Sequence, residues 1–137
     1  MGRVARARRG RCYGGRMTDR AAIGRTGEEM AADFLQGRGF SILERNLRVG
    51  RNEIDLLCES PHGELTLVEV KTSVGASAPF PEQRIDWRKR TALIHCARLL
   101  RGAMTGRRAT IRFDVVAVTM NPGARDEIIH FPHAFEA

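Results

Sequence analysis

With 137 residues, 23 lysines and arginines against 16 aspartates and glutamates, and a net charge of +7, the chain has the length of one domain with a substantial core. No segment approaches the roughly 18 apolar residues that a membrane span requires. The N-terminus also lacks the apolar centre of a secretory signal, so the expected location is the cytoplasm, with no membrane partner. Cys12, Cys58 and Cys96 are odd in number and far apart, which points to reduced thiols rather than a disulfide framework or a zinc motif.

The charge is unevenly placed. Residues 1–16 hold six of the arginines and no acid, which leaves +1 for the rest. Residues 1–20 are accordingly read as a basic extension without stable structure, and 21–137 as a single domain. A basic arm suits nucleic acid through phosphate neutralisation; the alternative is that Met17 is the true start.

Thr26-Gly27-Glu28-Glu29 has the form of a capping box, with Thr26 at the N-cap and Glu29 at N3. Met30, Ala31, Phe34 and Leu35 follow at helical spacing, and Gly37 and Gly39 end the helix. Residues 40–49 predict a first strand, Gly50-Arg51-Asn52 a turn, and 53–59 a second strand. Ser60-Pro61-His62-Gly63 is another turn, and 64–72 a third strand. After a small-residue loop over 75–81, a second helix is expected over 82–101, stopping at Gly102. Its apolar face is Ile85, Ala92, Leu93, Cys96, Ala97 and Leu100. Residues 110–119 predict a buried strand, in which Asp114 needs a partner, an arginine rather than a catalytic role. Ile128 to Phe131 is a short apolar run. His130-Phe131-Pro132-His133 has metal-like spacing, but the intervening proline and the lack of nearby cysteines make it a loop. The order helix, three strands, helix, strand predicts an α/β fold, a mixed central sheet with helices packed on it.

Asp55, Glu69 and Lys71 carry most of the functional signal. Residues i and i+2 of a strand share a face, so Glu69 and Lys71 project together and Val70 points the other way. Pairing the two strands brings Asp55 near Glu69. Two carboxylates beside a lysine suit a divalent cation and a phosphate or an activated water. Lys71 is one of only two lysines among the 23 basic residues, and a compact ammonium with a tunable pKa is not interchangeable with a guanidinium. The competing reading is an ordinary exposed Glu-x-Lys pair. Trp87, beside Arg84, Arg88, Lys89 and Arg90, suits a nucleic-acid backbone or else a solvated helix face with one half-buried aromatic.

Four blocks run in order along the chain: Gly24-Arg25-Thr26-Gly27-Glu28, Glu53-Ile54-Asp55-Leu56-Leu57, Val68-Glu69-Val70-Lys71-Thr72 and Arg112-Phe113-Asp114-Val115-Val116. Together they resemble the YraN-like family, within the restriction-endonuclease-like PD-(D/E)xK superfamily and similar to Holliday junction resolvases. The resemblance covers about residues 23–131 and implies an αβββαβ core. It implies that Asp55 and Glu69, with the Val70 carbonyl, hold Mg²⁺ or Mn²⁺, and that Lys71 serves the attacking water or the phosphate. Glu28 would add a carboxylate, as in junction resolvases, or else stabilise the helix dipole. The function implied is metal-dependent phosphodiester hydrolysis in nucleic acid, DNA foremost and branched or structured forms included. The alternative is a non-catalytic nucleic-acid-binding or scaffold protein that retains the fold; a metal-binding protein without nucleic acid has too few further ligands. Oligomers are compatible with the sequence. Two positions depart from the family: Asn52 stands where glycine is usual, and since asparagine tolerates the left-handed turn conformation the hairpin is expected to survive, and Ser73 replaces a basic residue.

Overall fold

The computed structural model describes residues 5–9, 19–75, 87–103 and 110–136. Helix α1 spans Arg20–Gly37, and its N-cap is Asp19, not Thr26. The Asp19 carboxylate accepts from the backbone N–H of Ala21 at 3.0 Å and of Ala22 at 3.3 Å. That cap, followed by Arg20, Ala21 and Ala22, starts the helix about two turns before the capping-box pattern. Gly24 lies inside it, a cost of about 1 kcal/mol that the helix absorbs. Thr26 and Glu29 are therefore mid-helix residues.

Six strands form one sheet: β1 (Ala5–Arg9), β2 (Ser41–Val49), β3 (Asn52–Glu59), β4 (Leu65–Val74), β5 (Ile111–Met120) and β6 (Asp126–Phe135), in the spatial order β1-β6-β5-β4-β3-β2. Only β4 and β5 run parallel; the other neighbours are antiparallel. A parallel pair needs a long crossover, and helix α2 (Trp87–Ala103) lies in it. The expected αβββαβ order and mixed sheet are present.

The helices cover opposite faces. Met30, Ala31, Phe34 and Leu35 of α1 pack with Leu56, Cys58, Val68, Val70 and Val116. Leu93, Cys96 and Ala97 of α2 pack with Ile54, Leu57, Leu67 and Phe113. Burial on both faces explains why β5 reads as a nearly continuous apolar run. The expected start of α2 at 82, with Ile85, lies outside the described residues. Its end passes Gly102 and reaches Ala103.

Three local expectations are corrected. First, residues 130–133 are not a loop but part of β6. Pro132 is tolerated because the pairing with β5 is irregular between Phe113 and Val115, where a missing N–H costs little. Second, the hairpin forms as expected but without a left-handed Asn52: that residue opens β3 and pairs with Val49, and Gly50 takes the positive φ of +61° in the turn. Glycine first in a two-residue hairpin loop meets that need, so the turn does not draw on position 52. Third, part of the basic extension is structured at the backbone level, because Ala5–Arg9 pair with β6. An edge strand draws on backbone groups, so the lack of apolar periodicity did not reveal it.

Candidate active site

The site forms where β3 and β4 part. Their ladder runs from Glu59↔Leu65 to Leu56↔Val68 and stops there, one position short of Asp55 and Glu69. Side-chain alternation also breaks at this point, since Leu56 packs on the α1 side and Ile54 on the α2 side. A strand N–H left without its ladder partner must be satisfied otherwise. The Val70 N–H donates at 2.8 Å to Asp55 Oδ2, so the Asp55 carboxylate spans the gap between the strands. A strand residue's N–H and C=O leave by the same edge, so the Val70 carbonyl faces the same gap.

Glu69 is 3% exposed, and its charge is matched by ammonium groups. Lys71 Nζ lies 3.1 Å from Oε1, and Lys89 Nζ, on α2, lies 3.2 Å from Oε2. Lys89 also donates to the Glu53 carbonyl at 3.4 Å. The Oε2 contact is close but poorly aligned, so Oε2 is a buried oxygen in an ion pair without a well-formed hydrogen bond. The chain's two lysines thus converge on one carboxylate.

Burial, and then the neighbouring Glu69 charge, push Asp55 up to about 7, against the lowering effect of the Val70 hydrogen bond. Burial likewise raises Glu28 above the usual carboxylate range, and the charges of Glu53 and Glu69 add to it. A hydrogen bond from Asn46, which has a φ of +49°, opposes this rise. Burial alone would lower Lys89, but the surrounding carboxylates, Glu69 first, outweigh it and raise it.

Glu28 reaches this cluster because α1 runs unusually close to β4. A Cβ added to Gly27 would meet Thr72 Oγ1 at 1.9 Å, so only glycine permits the approach. Glu28 lines a groove of about 420 Å³ with Arg20, Val70, Thr72 and Ser73, and the Ser73 hydroxyl there is buried without a hydrogen-bond partner. Asp55, Glu69, Lys71, Glu28 and the Val70 backbone therefore come together. Two residues that the sequence did not assign to the site, Lys89 and Asn46, join them. The rarity of lysine was a signal for Lys89, whereas nothing in the sequence singled out Asn46.

Among the described residues, no three His, Cys, Asp or Glu side chains gather as a metal centre. The donors on hand are the two carboxylates and the carbonyl beside them. They suit a hard cation that retains several waters, and a counter-charge would offset the burial and the Glu69 charge that raise Asp55.

A second buried polar cluster lies on β5 and β6. Asp114, fully buried, accepts from Arg112 at 2.9 and 2.7 Å, from the His133 backbone N–H at 3.2 Å, and pairs with His130 Nε2 at 2.6 Å. Arg112 also reaches Glu64 at 2.9 Å. Burial alone would raise Asp114, but its bonds to His130 and Arg112 hold it below the usual range. The expected arginine partner is thus present. His130 packs edge-on against Phe34 and Phe40, a buried core histidine whose Nε2 is engaged by Asp114.

Comparison with known proteins places the chain. The family model described as "Uncharacterised protein family UPF0102" matches residues 27–118. The chain belongs to the UPF0102 family. The UPF0102 protein of Anaeromyxobacter dehalogenans is 40% identical over 124 residues, covering 90% of each chain. That of Nocardia farcinica is 38% identical over 120 residues, covering 88% of this chain and 94% of the relative. Among solved structures, Pyrococcus furiosus SfsA in complex with Ca²⁺ aligns at 18% identity and a TM-score of 0.34, over 87% of this chain and 66% of that one. That likeness is too weak to bear on the site. The UPF0102 match spans three of the four sequence blocks in full and Gly27-Glu28 of the first, and so includes Asp55, Glu69 and Lys71. No helix among the described residues is long and apolar enough to cross a membrane.

Proposed function

We propose that this UPF0102 protein is a divalent-cation-dependent hydrolase of phosphodiester bonds in nucleic acid, DNA foremost. The reading is supported by the meeting of Asp55, Glu69 and Lys71 at the parting of β3 and β4, with the Val70 backbone bound to Asp55. Asp55, Glu69 and the Val70 carbonyl would hold Mg²⁺ or Mn²⁺. When bound, the cation lowers the pKa of a water and neutralises charge on the scissile phosphate. Lys71, on the same strand face as Glu69, is placed to orient a water or to stabilise the extra negative charge of the transition state. Lys89 offers a second ammonium from α2. Glu28, whose charge adds to the rise of Asp55, would supply a further carboxylate beside the pair.

The test is a cleavage screen of branched, single-stranded and duplex substrates with Mg²⁺ or Mn²⁺. Cleavage by the wild type and its loss in Lys71→Ala supports the reading. Nucleic-acid binding without cleavage of any substrate favours the alternative, a binding or scaffold protein that keeps the fold.

A further inference from the structure

A groove of about 680 Å³ runs beside α2, lined among others by Asn52, Trp87, Arg88, Thr91, His95 and Arg98. Trp87 is 71% exposed, not the half-buried aromatic that the sequence suggested. The Arg88 guanidinium carbon lies 5.7 Å from the centre of the indole ring, and much of the ring meets solvent. Trp87, Thr91, His95 and Arg98 fall at i, i+4, i+8 and i+11, which makes one stripe along the helix. At about 1.5 Å per residue the stripe is roughly 16 Å long, room for a few nucleotides. Helix α2 carries Arg88, Lys89, Arg90, Arg98 and Arg101 and no acid at all. The groove also abuts the candidate active site: Lys89 lies on the first turn of α2 and reaches Glu69, and Asn52 precedes Glu53, whose carbonyl Lys89 binds.

We propose that this groove holds a single-stranded stretch of nucleic acid, with a base stacked on Trp87 and phosphates against Arg88 and Arg98. The groove would thereby select substrates that are unpaired next to the site. The inference rests on the nucleic-acid reading above and deepens it to a substrate class. An exposed aromatic with flanking arginines binds unpaired strands because every base offers a stacking face, whereas a duplex hides those faces between neighbouring pairs. A helix whose charges are all positive complements a polyanion.

Trp87 is the only tryptophan in the chain, so its emission reports on the groove directly. The experiment titrates the full-length protein, without divalent cation, with oligothymidylate, with oligouridylate and with a duplex of equal length. Fluorescence reads Trp87, and anisotropy of labelled strands reads binding wherever it occurs. Saturable quenching by one or both single strands, with weaker binding of the duplex, is expected; the preferred sugar distinguishes DNA from RNA. Trp87→Ala should weaken single-strand binding roughly five- to hundred-fold, and Trp87→Phe much less. Arg98→Gln should flatten the dependence of log affinity on log salt by about 0.7. Binding with unchanged Trp87 emission, equal affinity of Trp87→Ala and wild type, or equal binding of the duplex overturns the groove assignment and leaves the nucleic-acid reading standing. No binding of any strand overturns both. Binding at the groove without cleavage on adding Mn²⁺ supports the groove and counts against the hydrolase alone.

Discussion

Lys89 Nζ on α2 lies 3.2 Å from Glu69 Oε2 on β4, and that contact ties the crossover helix to the centre of the candidate site. Lys71 holds the other oxygen at 3.1 Å, so a carboxylate almost wholly out of solvent has an ammonium on each side. A divalent cation taking Oε2 as a ligand must displace or share with Lys89. Replacing Lys89 by Gln should therefore destabilise the cation-free protein by about 1–3 kcal/mol, the usual cost of leaving a buried charged group short of a partner. Mn²⁺ should recover part of that loss by supplying the missing positive charge. Urea unfolding with and without Mn²⁺ measures both; a loss that Mn²⁺ leaves untouched would show that Lys89 and the cation do not compete for Glu69.

Asp55 gives a pH signature. Its carboxyl is pushed up to about 7 in the fold, by burial first and Glu69 next, against an ordinary value near 4. The folded protein then binds more protons than the unfolded chain between those values, so stability falls as pH rises from about 4 to 7. Above that window the burden is constant, on the order of a few kcal/mol at most. Asp55→Asn keeps an oxygen for the Val70 N–H and removes the charge. The variant should be more stable than wild type at pH 8, equal to it near pH 4, and free of the slope between. Calorimetric titration should also show weaker Mn²⁺ binding. Equal Mn²⁺ affinity in the two proteins would remove Asp55 from the ligand set.

Most of this architecture was legible in the sequence, for identifiable reasons. The stripe Met30, Ala31, Phe34, Leu35 has an unambiguous helical period, and the run from Ile111 to Val118 is apolar because both sheet faces are covered. Glu69 and Lys71 share a face by strand parity alone. Asp55 came near Glu69 as expected, but through a hydrogen bond to Val70 where the ladder ends, and sequence parity does not reveal where strands part. Features that depend on distant partners were missed. Asp19 outcompeted Thr26 because a helix start is decided by which side chain reaches the free N–H groups. His130 reads as a loop residue until Asp114, Phe34 and Phe40 are seen around it. Lys89 stands eighteen positions from Lys71, and only the crossover returns it to Glu69.

The Asp114 cluster predicts a contrast with the active site. Its carboxylate is held by Arg112 and His130 away from solvent, so Asp114→Ala takes two hydrogen bonds from the buried Arg112 guanidinium and leaves it Glu64 alone. Loss of one partner from a buried pair costs about 3–5 kcal/mol. Asp114 is held below its ordinary range, so its contribution is present above about pH 4 and disappears as pH falls through the lowered value. The acid unfolding midpoint of wild type should accordingly lie below that of Asp114→Asn. At neutral pH, well below its melting temperature, folded Asp114→Asn should bind Mn²⁺ as wild type does. A specific loss of cation affinity in the folded variant would connect the two clusters.

The last prediction concerns two glycines in one helix. Gly24 and Gly27 both lie within α1, and alanine is favoured over glycine in a helix interior by about 1 kcal/mol. At Gly24 no atom of the described residues lies within 4 Å of an added Cβ, so Gly24→Ala should stabilise the protein by up to about 1 kcal/mol. At Gly27 the same methyl would meet Thr72 Oγ1 at 1.9 Å, Cγ2 at 2.7 Å and Cβ at 2.8 Å. The Cβ belongs to the strand and cannot swing away, so α1 must move off β4. Overpacking of this kind costs about 1–3 kcal/mol, which exceeds the helical gain, and Gly27→Ala should destabilise. Thr72→Ala removes the two nearer atoms and leaves the Cβ, so the double variant should recover part of the loss and not all of it. Because Glu28 follows Gly27 directly, the shift should also carry Glu28 away from Asp55 and Glu69. Chemical denaturation of the four variants, read beside their Mn²⁺ affinities, checks both parts. Equal stability of Gly24→Ala and Gly27→Ala would mean that α1 does not pack against Thr72 as described.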